Sequence, residues 1–197
     1  MITTGRISQK NLLFEKQHLE RLTKASRYFS FPFDPEELRQ KIEEECQACD
    51  SHQDYRLRIS LSKSGEIELS RQILTPLSPS FCQAKLCLQE VDLQTPFIYF
   101  KTTHRPHLSL GEQEIIYHNV AGELLETSIG NLVLKIAGKL YTPPTSLGIL
   151  PGIYRQHLLE RGQVEEKVLT LADLNQAETI YGCNAVRGLY ELEVNSK

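Results

Sequence analysis

The stretch that decides the fold is FKTTHR (residues 100–105), followed by EIIYHN (114–119) and GELLETSIGN (122–131). Lys101 comes directly after an apolar, strand-like run, and Glu126 stands between an apolar pair and a turn of small residues. Farther along, LPGIYR (150–155) and CNAVRG (183–188) contain turn residues of the kind that bind anions. The pattern predicts a site with one reactive amine, one carboxylate and two anion-binding turns.

The bulk properties restrict the class of protein. The chain has 197 residues, enough for one large domain or two small ones, and a net charge of −3. This charge argues against nucleic acid or an anionic membrane as a partner. No apolar run approaches the roughly 20 residues of a membrane span, and the start MITTGRISQK lacks the apolar core of a signal peptide. We therefore expect a cytoplasmic protein.

The five cysteines do not form a disulfide framework. Cys46 and Cys49 form a CxxC at the end of an acidic helical pattern, and Cys82 and Cys87 lack the spacing of a zinc ribbon. A zinc or redox role for the CxxC stays open as an alternative. The histidines after Lys101 have no partner ligands at a recognisable spacing, so we expect no metal there. For the cysteines we expect free thiols in a reducing compartment.

Hydrophobic periodicity predicts a small α+β domain in residues 1–94. Asp34-Pro35 is typical of a helix start, because Asp caps the first N–H groups and Pro suits the first helical turn. Alternating apolar and polar residues over 55–61 predict a half-buried strand. The predicted elements are helices 12–29 and 35–49 and strands 55–61, 66–73 and 84–91.

Residues 95–197 are predicted to form a larger α/β domain, because Pro96 ends the element before it. A strand is expected to lead into Lys101. Gly152 opens a helix that Gly162 closes, and Thr170-x-x-Asp173 predicts a capping box. The further predicted elements are strands 115–117, 131–136, 140–141, 180–183 and 189–194 and helices 153–161 and 171–177.

Taken together, these motifs resemble the class IV aminotransferases, the fold-type IV pyridoxal-phosphate enzymes. That family includes branched-chain aminotransferases, D-amino-acid aminotransferases and 4-amino-4-deoxychorismate lyases, and the similarity is strongest to the lyases. The resemblance covers the chain from about Leu12 to Leu192. It implies a mixed α/β (α+β) two-domain fold like that of D-amino-acid aminotransferase, with a truncated small N-terminal domain.

The resemblance also implies roles for particular residues. Lys101 would form the Schiff base with pyridoxal 5′-phosphate, and Glu126 would keep the pyridine nitrogen protonated. By themselves, the same residues also fit a surface lysine at a strand end and an exposed acid in a turn. The residues expected at the cofactor phosphate are Arg21, Gly152, Ile153, Tyr154 and Asn184.

Three further arginines are candidate substrate contacts. Arg56 and Arg58 are two residues apart on a strand and so share one face, where they would suit a dicarboxylate or simply face water. Arg187 in CNAVRG is a third candidate anion contact.

The expected activity is a lyase that releases pyruvate and 4-aminobenzoate from 4-amino-4-deoxychorismate in folate biosynthesis. One alternative is a class IV aminotransferase of the branched-chain or D-amino-acid type. Another is a non-catalytic relative. The resemblance further implies a homodimer, which would cover the thinned sheet of the small domain.

Overall fold

The computed structural model describes residues 1–105, 108–109 and 111–194. The chain forms two compact units. The small unit is Met1–Pro76 with Phe100–Thr103, and the large unit is Leu77–Tyr99 with His104–Lys197. The units divide the chain at Pro76 rather than at the expected residue 94, and the segment with Lys101 groups with the small unit. In the described part of the chain no helix has the length and apolar character needed to cross a bilayer.

The small unit is a four-stranded antiparallel sheet with two helices. The sheet has the order β2-β1-β3-β4. The elements, in chain order, are β1 (Ile2–Ser8), β2 (Asn11–Leu12), α1 (Glu15–Phe29), α2 (Pro35–Gln47), β3 (Tyr55–Leu61) and β4 (Ile67–Ile73).

Local sequence accounts for most of this unit. Leu57, Ile59 and Leu61 of β3 are buried, as their alternation predicts. The Asp34 carboxylate accepts the Glu36 N–H at 2.9 Å, which caps α2 as predicted. Helix α1 begins at Glu15 rather than at residue 12, because Asn11–Leu12 pair with β1 as a short strand.

The large unit is an eight-stranded mixed sheet that closes on itself. Its order is β10-β9-β8-β11-β12-β5-β6-β7, and β7 also pairs with β8 through Glu126 and Asn131. The strands are β5 (Gln83–Leu88), β6 (Ile115–His118), β7 (Leu124–Thr127), β8 (Asn131–Ile136), β9 (Lys139–Thr142), β10 (Glu165–Glu166), β11 (Thr179–Asn184) and β12 (Gly188–Val194). The helices are α3 (Pro79–Cys82), α4 (Ile153–Glu160) and α5 (Leu171–Gln176), with single 3₁₀ turns at Pro96–Ile98 and Thr145–Leu147.

The predicted turns and caps of this unit are confirmed. Gly162, after α4, has φ 63°, and Thr170 and Asp173 form the expected capping box of α5. This barrel-like sheet with flanking helices is the mixed α/β fold that the sequence predicted.

Two strand predictions are corrected, and one strand that holds a predicted site residue was missed. The strand predicted at 84–91 ends at Leu88 and belongs to the large unit, where it lies between β12 and β6. The run before Lys101 contains a 3₁₀ turn at Pro96–Ile98, which the Tyr99 N–H closes by donating to the Pro96 carbonyl at 3.0 Å. The fixed φ of Pro96 suits the first position of such a turn. Strand β7 was not predicted at all, and it places Glu126 in a strand instead of a turn.

Candidate active site

Lys101 lies in an irregular segment that the main chain anchors to β1. Its carbonyl accepts the Ile2 N–H at 2.9 Å. The preceding Phe100 ring packs against Tyr28 and Phe29 of α1, with ring centroids 4.7 and 5.3 Å away. The residue itself is half-buried. The contacts that hold this segment therefore come from α1 and β1, and Lys101 does not lie at the end of a strand of its own.

His18, in the same unit, is buried between α1 and β1. Its Nδ1 lies 2.6 Å from Thr3 Oγ1. Burial, with smaller contributions from the charges of Arg21 and Lys101, lowers the pKa of His18 from 6.5 to about 3. The imidazole is therefore neutral at pH 7. Arg21 and Lys101, two of the predicted site residues, both lie near enough to act electrostatically on this ring.

The burial of neutral His18 predicts a pH dependence of stability. Between pH 6.5 and pH 3 the unfolded chain binds one more proton at this residue than the folded chain, so stability falls as the pH falls. We expect the His18 contribution to lower the free energy of unfolding by about 2 kcal/mol between pH 7 and pH 5. Urea unfolding at both pH values measures it. His18→Gln should lose this component, and the exposed His52→Gln should retain it. An unchanged pH slope in His18→Gln would contradict the prediction.

The predicted arginine pair of β3 has a third member. Arg56 and Arg58 lie on the face opposite Leu57 and Ile59. These two arginines and the third member, Arg6, are half-buried. The β1–β3 register places Arg6 directly beside Arg56, on the same face. Arg6 is also 3.8 Å from Asp54. Sequence reasoning missed Arg6, because nothing in ITTGRIS indicates its register with β3.

Glu126 is buried in β7, with 3% of its surface exposed. Its Oε1 accepts a hydrogen bond from Arg105 Nη2 at 2.9 Å, and its Oε2 accepts the Leu150 N–H at 3.3 Å. The alternative of an exposed acid in a turn is therefore wrong. Arg105, which sequence analysis left without a role, supplies a cation that favours the ionised carboxylate. The arrangement leaves a charged carboxylate inside the large unit, attached to the LPGIYR turn.

Two hydrogen bonds hold the LPGIYR turn, one at the N–H and one at the carbonyl of Leu150. While Leu150 donates its N–H to Glu126, its carbonyl accepts Asn131 Nδ2 at 2.8 Å. A Cβ on Gly152 would lie only 1.9 Å from Asn131 Oδ1. Gly152 is the N-cap of α4, whose first N–H groups, including those of Ile153 and Tyr154, are directed out of the helix start. A helix start of this kind suits an anion, as the sequence pattern predicted.

Gly152→Ala should therefore disturb the turn severely. The methyl group cannot be accommodated unless Asn131 gives up its bond to Leu150, so we expect a loss of about 2–3 kcal/mol in stability. Chemical denaturation measures the loss. Gly111→Ala is the matched control, because the nearest atom to its Cβ would be 3.9 Å away. Equal stability of the two variants would contradict this account.

The CNAVRG loop is shaped by Asn184. Its Oδ1 accepts the N–H groups of Val186 at 3.0 Å and Arg187 at 2.9 Å, and its Nδ2 donates to the Ile129 carbonyl at 3.3 Å. Gly188 has φ 70° and lies against Tyr154, so that a Cβ on this glycine would be 3.3 Å from the Tyr154 hydroxyl oxygen. The two predicted anion turns therefore meet at Tyr154.

The predicted residues thus form two groups, one in each unit. The small unit holds Arg21, Arg56, Arg58 and Lys101. The large unit holds Glu126, Gly152, Ile153, Tyr154, Asn184 and Arg187.

The cysteines show no sign of a metal site. All five are free, and burial and the neighbouring Cys49 raise the pKa of the Cys46 thiol to about 11. Cys49 Sγ donates to the Glu45 carbonyl at 3.2 Å, as a structural thiol does. Across the described residues there is no group of three or more metal-ligating side chains. His107, one of the histidines after Lys101, lies outside the described residues.

Comparison with known proteins gives a consistent family assignment. A family model described as amino-transferase class IV matches residues 1–193. A Mesorhizobium loti protein, provisionally named an amino-acid aminotransferase, is 27% identical, with a TM-score of 0.85 over 98% of both chains. A Haemophilus somnus protein, provisionally named a 4-amino-4-deoxychorismate lyase, is 23% identical, with a TM-score of 0.76 over 96% of this chain and 97% of the other.

A third solved structure was determined with its cofactor. It is a hypothetical aminotransferase from Mycobacterium tuberculosis in its PLP-bound form, 17% identical with a TM-score of 0.81, covering 99% of this chain and 81% of that one. Matches to curated relatives are shorter. They are 37% identical over 68 residues and 33% identical over 101 residues, so the chain spans only 35% and 37% of those relatives' lengths.

Proposed function

Because the chain belongs to the class IV aminotransferase family, a family of pyridoxal-phosphate-dependent enzymes, we propose that it is a pyridoxal-phosphate-dependent lyase. The substrate is 4-amino-4-deoxychorismate and the products are pyruvate and 4-aminobenzoate, a step of folate biosynthesis. The observation that carries the cofactor assignment is Glu126, a buried carboxylate paired with Arg105 and bonded to the first peptide of an anion-binding turn.

The residues of each unit fit pyridoxal phosphate. In the large unit, the N–H groups at the start of α4 suit the phosphate, and Glu126 suits the pyridine nitrogen. Asn184 is proposed as a further residue near the phosphate. Gly152 leaves room where a Cβ would intrude. In the small unit, Lys101 supplies the amine for the aldehyde, and Arg21 supplies a cation for the phosphate. When bound, the cofactor withdraws electrons from the substrate carbon that bears the amine.

The protein residues then have separate tasks. With the cofactor bound, Lys101 Nζ would hold its aldehyde and would act as the base for the proton on the substrate Cα. The Glu126 carboxylate would hold a proton at the pyridine nitrogen. Arg105 holds the Glu126 carboxylate in a fixed direction through their ion pair.

The arginine face of the small unit supports a substrate with carboxylates. Arg6, Arg56 and Arg58 share one side of the sheet, and planar guanidinium groups bind carboxylates through paired hydrogen bonds. 4-Amino-4-deoxychorismate has two carboxylates, which suits such a cluster. Arg187 of the large unit is proposed as a further contact with the substrate.

An aminotransferase is the second candidate. The observation in its favour is the match to the Mesorhizobium loti protein over 98% of both chains. In that activity Lys101 would move the Cα proton, water would be consumed as the amino acid leaves as a keto acid, and the amino group would pass to the 2-oxo acid acceptor. The same residues serve both activities, so the substrate decides between them. A non-catalytic relative is the remaining alternative.

The deciding experiment incubates purified protein and pyridoxal phosphate with a substrate of each class. We expect equimolar pyruvate and 4-aminobenzoate from 4-amino-4-deoxychorismate, measured by a coupled dehydrogenase assay and by chromatography. Parallel reactions contain a branched-chain or D-amino acid with 2-oxoglutarate. Glutamate formation without 4-aminobenzoate would replace the lyase with the aminotransferase. Protein that stays colourless with added cofactor and forms neither product would indicate the non-catalytic relative.

We also propose a homodimer, with β5 in its interface. Leu86 and Leu88 are 43% and 55% exposed on the same side of β5, in the part of the strand that pairs with β6. Exposed apolar residues in such a position favour a partner surface. Light scattering at micromolar concentration should give twice the 22.5 kDa chain mass.

Leu88→Asp should shift the population towards the single chain. Val120→Asp, at a turn residue that is 79% exposed, is the control that should leave the mass unchanged. A fully active species of 22.5 kDa would contradict the homodimer.

A cytoplasmic location is proposed on the basis of the thiols. All five cysteines are free, although two of them stand in a CxxC. Free thiols in this number are typical of a reducing compartment.

A further inference from the structure

Glu114 is a second buried acid of the large unit, and none of its surface is exposed. Its Oε1 accepts hydrogen bonds from Ser128 Oγ, from the Ile129 N–H at 3.3 Å and from the Ile115 N–H at 3.4 Å. Its Oε2 accepts the Tyr190 hydroxyl at 2.8 Å. Carboxylate oxygens accept hydrogen bonds, so the side chain matches these four donors. Burying such a group is unfavourable unless its bonds are made, which ties these donors to one geometry.

Tyr190 is held in place from two sides. A Cβ on Gly182 would lie 2.4 Å from the Tyr190 ring, and one on Gly130 would lie 3.1 Å from its hydroxyl oxygen. Burial and the Glu114 carboxylate raise the pKa of Tyr190 well above its usual value, so the hydroxyl keeps its proton and donates it. Two glycines therefore allow Tyr190 to approach closely enough to bind Glu114.

Two of the three donors on Oε1 belong to the turn between β7 and β8. Ser128 and Ile129 lie in this turn, and the Ser128 N–H also donates to the Ile115 carbonyl at 3.0 Å. The turn joins Glu126 to Asn131, which are cross-strand partners. Its Ile129 carbonyl accepts Asn184 Nδ2. The turn that Glu114 holds is therefore connected to Glu126, Asn131 and Asn184.

We propose that Glu114 is a positioning residue for the reaction. It fixes the β7–β8 turn and thereby sets the direction of the Glu126 carboxylate and the place of the Asn184 loop. This role in the reaction rests on the proposed function, because the position of Glu126 and Asn184 matters to catalysis only if the large unit holds the cofactor.

Glutamine distinguishes geometry from charge at this position. In Glu114→Gln, the amide oxygen can take the place of Oε1, and the amide nitrogen can donate to Tyr190, whose hydroxyl turns to accept. In Glu114→Ala, Ser128 and Ile129 lose their acceptor. The conservative variant should therefore retain the function that the alanine variant loses.

The test compares Glu114→Ala and Glu114→Gln with the exposed Glu191→Ala as control. Pyridoxal phosphate affinity is measured by absorbance titration, together with kcat and KM. We expect the alanine variant to bind the cofactor roughly tenfold more weakly and to lose kcat, with the glutamine and control variants within about threefold of the parent. If alanine at 114 prevents folding, Ser128→Ala removes a single donor and should weaken cofactor binding in the same direction.

Hydrogen exchange of the Ile129 amide in cofactor-free protein tests the structural role of Glu114 separately from the proposed function. Faster exchange in Glu114→Ala than in Glu114→Gln is expected whether or not the protein binds pyridoxal phosphate. Failure of the parent protein to bind the cofactor would overturn the proposed function. Equal exchange, or unchanged cofactor affinity in folded Glu114→Ala, would overturn the positioning role.

Discussion

Lys101→Ala is expected to abolish both turnover and the visible absorbance of the bound cofactor. The variant removes the amine that attaches the cofactor and the base that takes the Cα proton, so activity should fall by about 10³-fold or more. The fold should persist, because the bond that anchors this segment joins the Ile2 N–H to the main-chain carbonyl of residue 101. Absorbance spectra and steady-state kinetics measure the two effects.

The assignment of the lysine can be tested chemically in the parent protein. Borohydride reduction of the cofactor-bound form followed by peptide mapping should label Lys101. Lys63→Ala, which changes an exposed lysine in the same unit, should leave colour and turnover intact. Label on any other lysine would reject Lys101 as the attachment residue.

Glu126→Gln is expected to retain bound cofactor while lowering turnover by about 10²-fold or more. An amide cannot hold a proton at the pyridine nitrogen as a carboxylate does. The change also removes the negative charge facing Arg105, in a pair whose side chains are only 4% and 14% exposed. Because this pair is shielded from water, stability should fall by about 1–3 kcal/mol. Kinetics, cofactor titration and urea unfolding provide the three readouts.

Glu123→Gln is the matched control for this variant. Glu123 belongs to the same GELLETSIGN segment, but its carboxylate accepts Asn119 Nδ2 at 2.7 Å and makes part of a turn. Its replacement should leave kcat near the parent value. Unchanged turnover in Glu126→Gln would remove Glu126 from the proposed mechanism.

Local chemistry determined much of the fold. The alternation in YRLRISL is enough to predict β3, since one side of a sheet faces the core. The start of α2, the capping box of α5 and the Pro-Gly start of α4 depend on residues within four positions of each other. Such features can be predicted from sequence because the groups that satisfy each other's hydrogen bonds are neighbours in the chain.

Family motifs predicted more of the candidate site than local chemistry did. Lys101, Glu126 and the LPGIYR turn were predicted because their order resembles known enzymes, and not because spacing alone requires their roles. Their surroundings were not predicted. The burial of Glu126, its bond to Arg105 and the clamp of Asn131 on Leu150 involve groups about 20 residues apart in the chain.

The sequence by itself therefore determined the helices other than α3, most strands and the order of the motifs, because these depend on short-range periodicity and capping. Only the tertiary structure decided that β5 joins the large sheet, that Arg6 lies beside Arg56, and that Glu114 holds the β7–β8 turn. Strand pairing and register depend on contacts between distant segments, and no local pattern encodes which segments will meet. A buried acid such as Glu114 looks like any surface glutamate until its donors, up to 76 residues away, are brought to it.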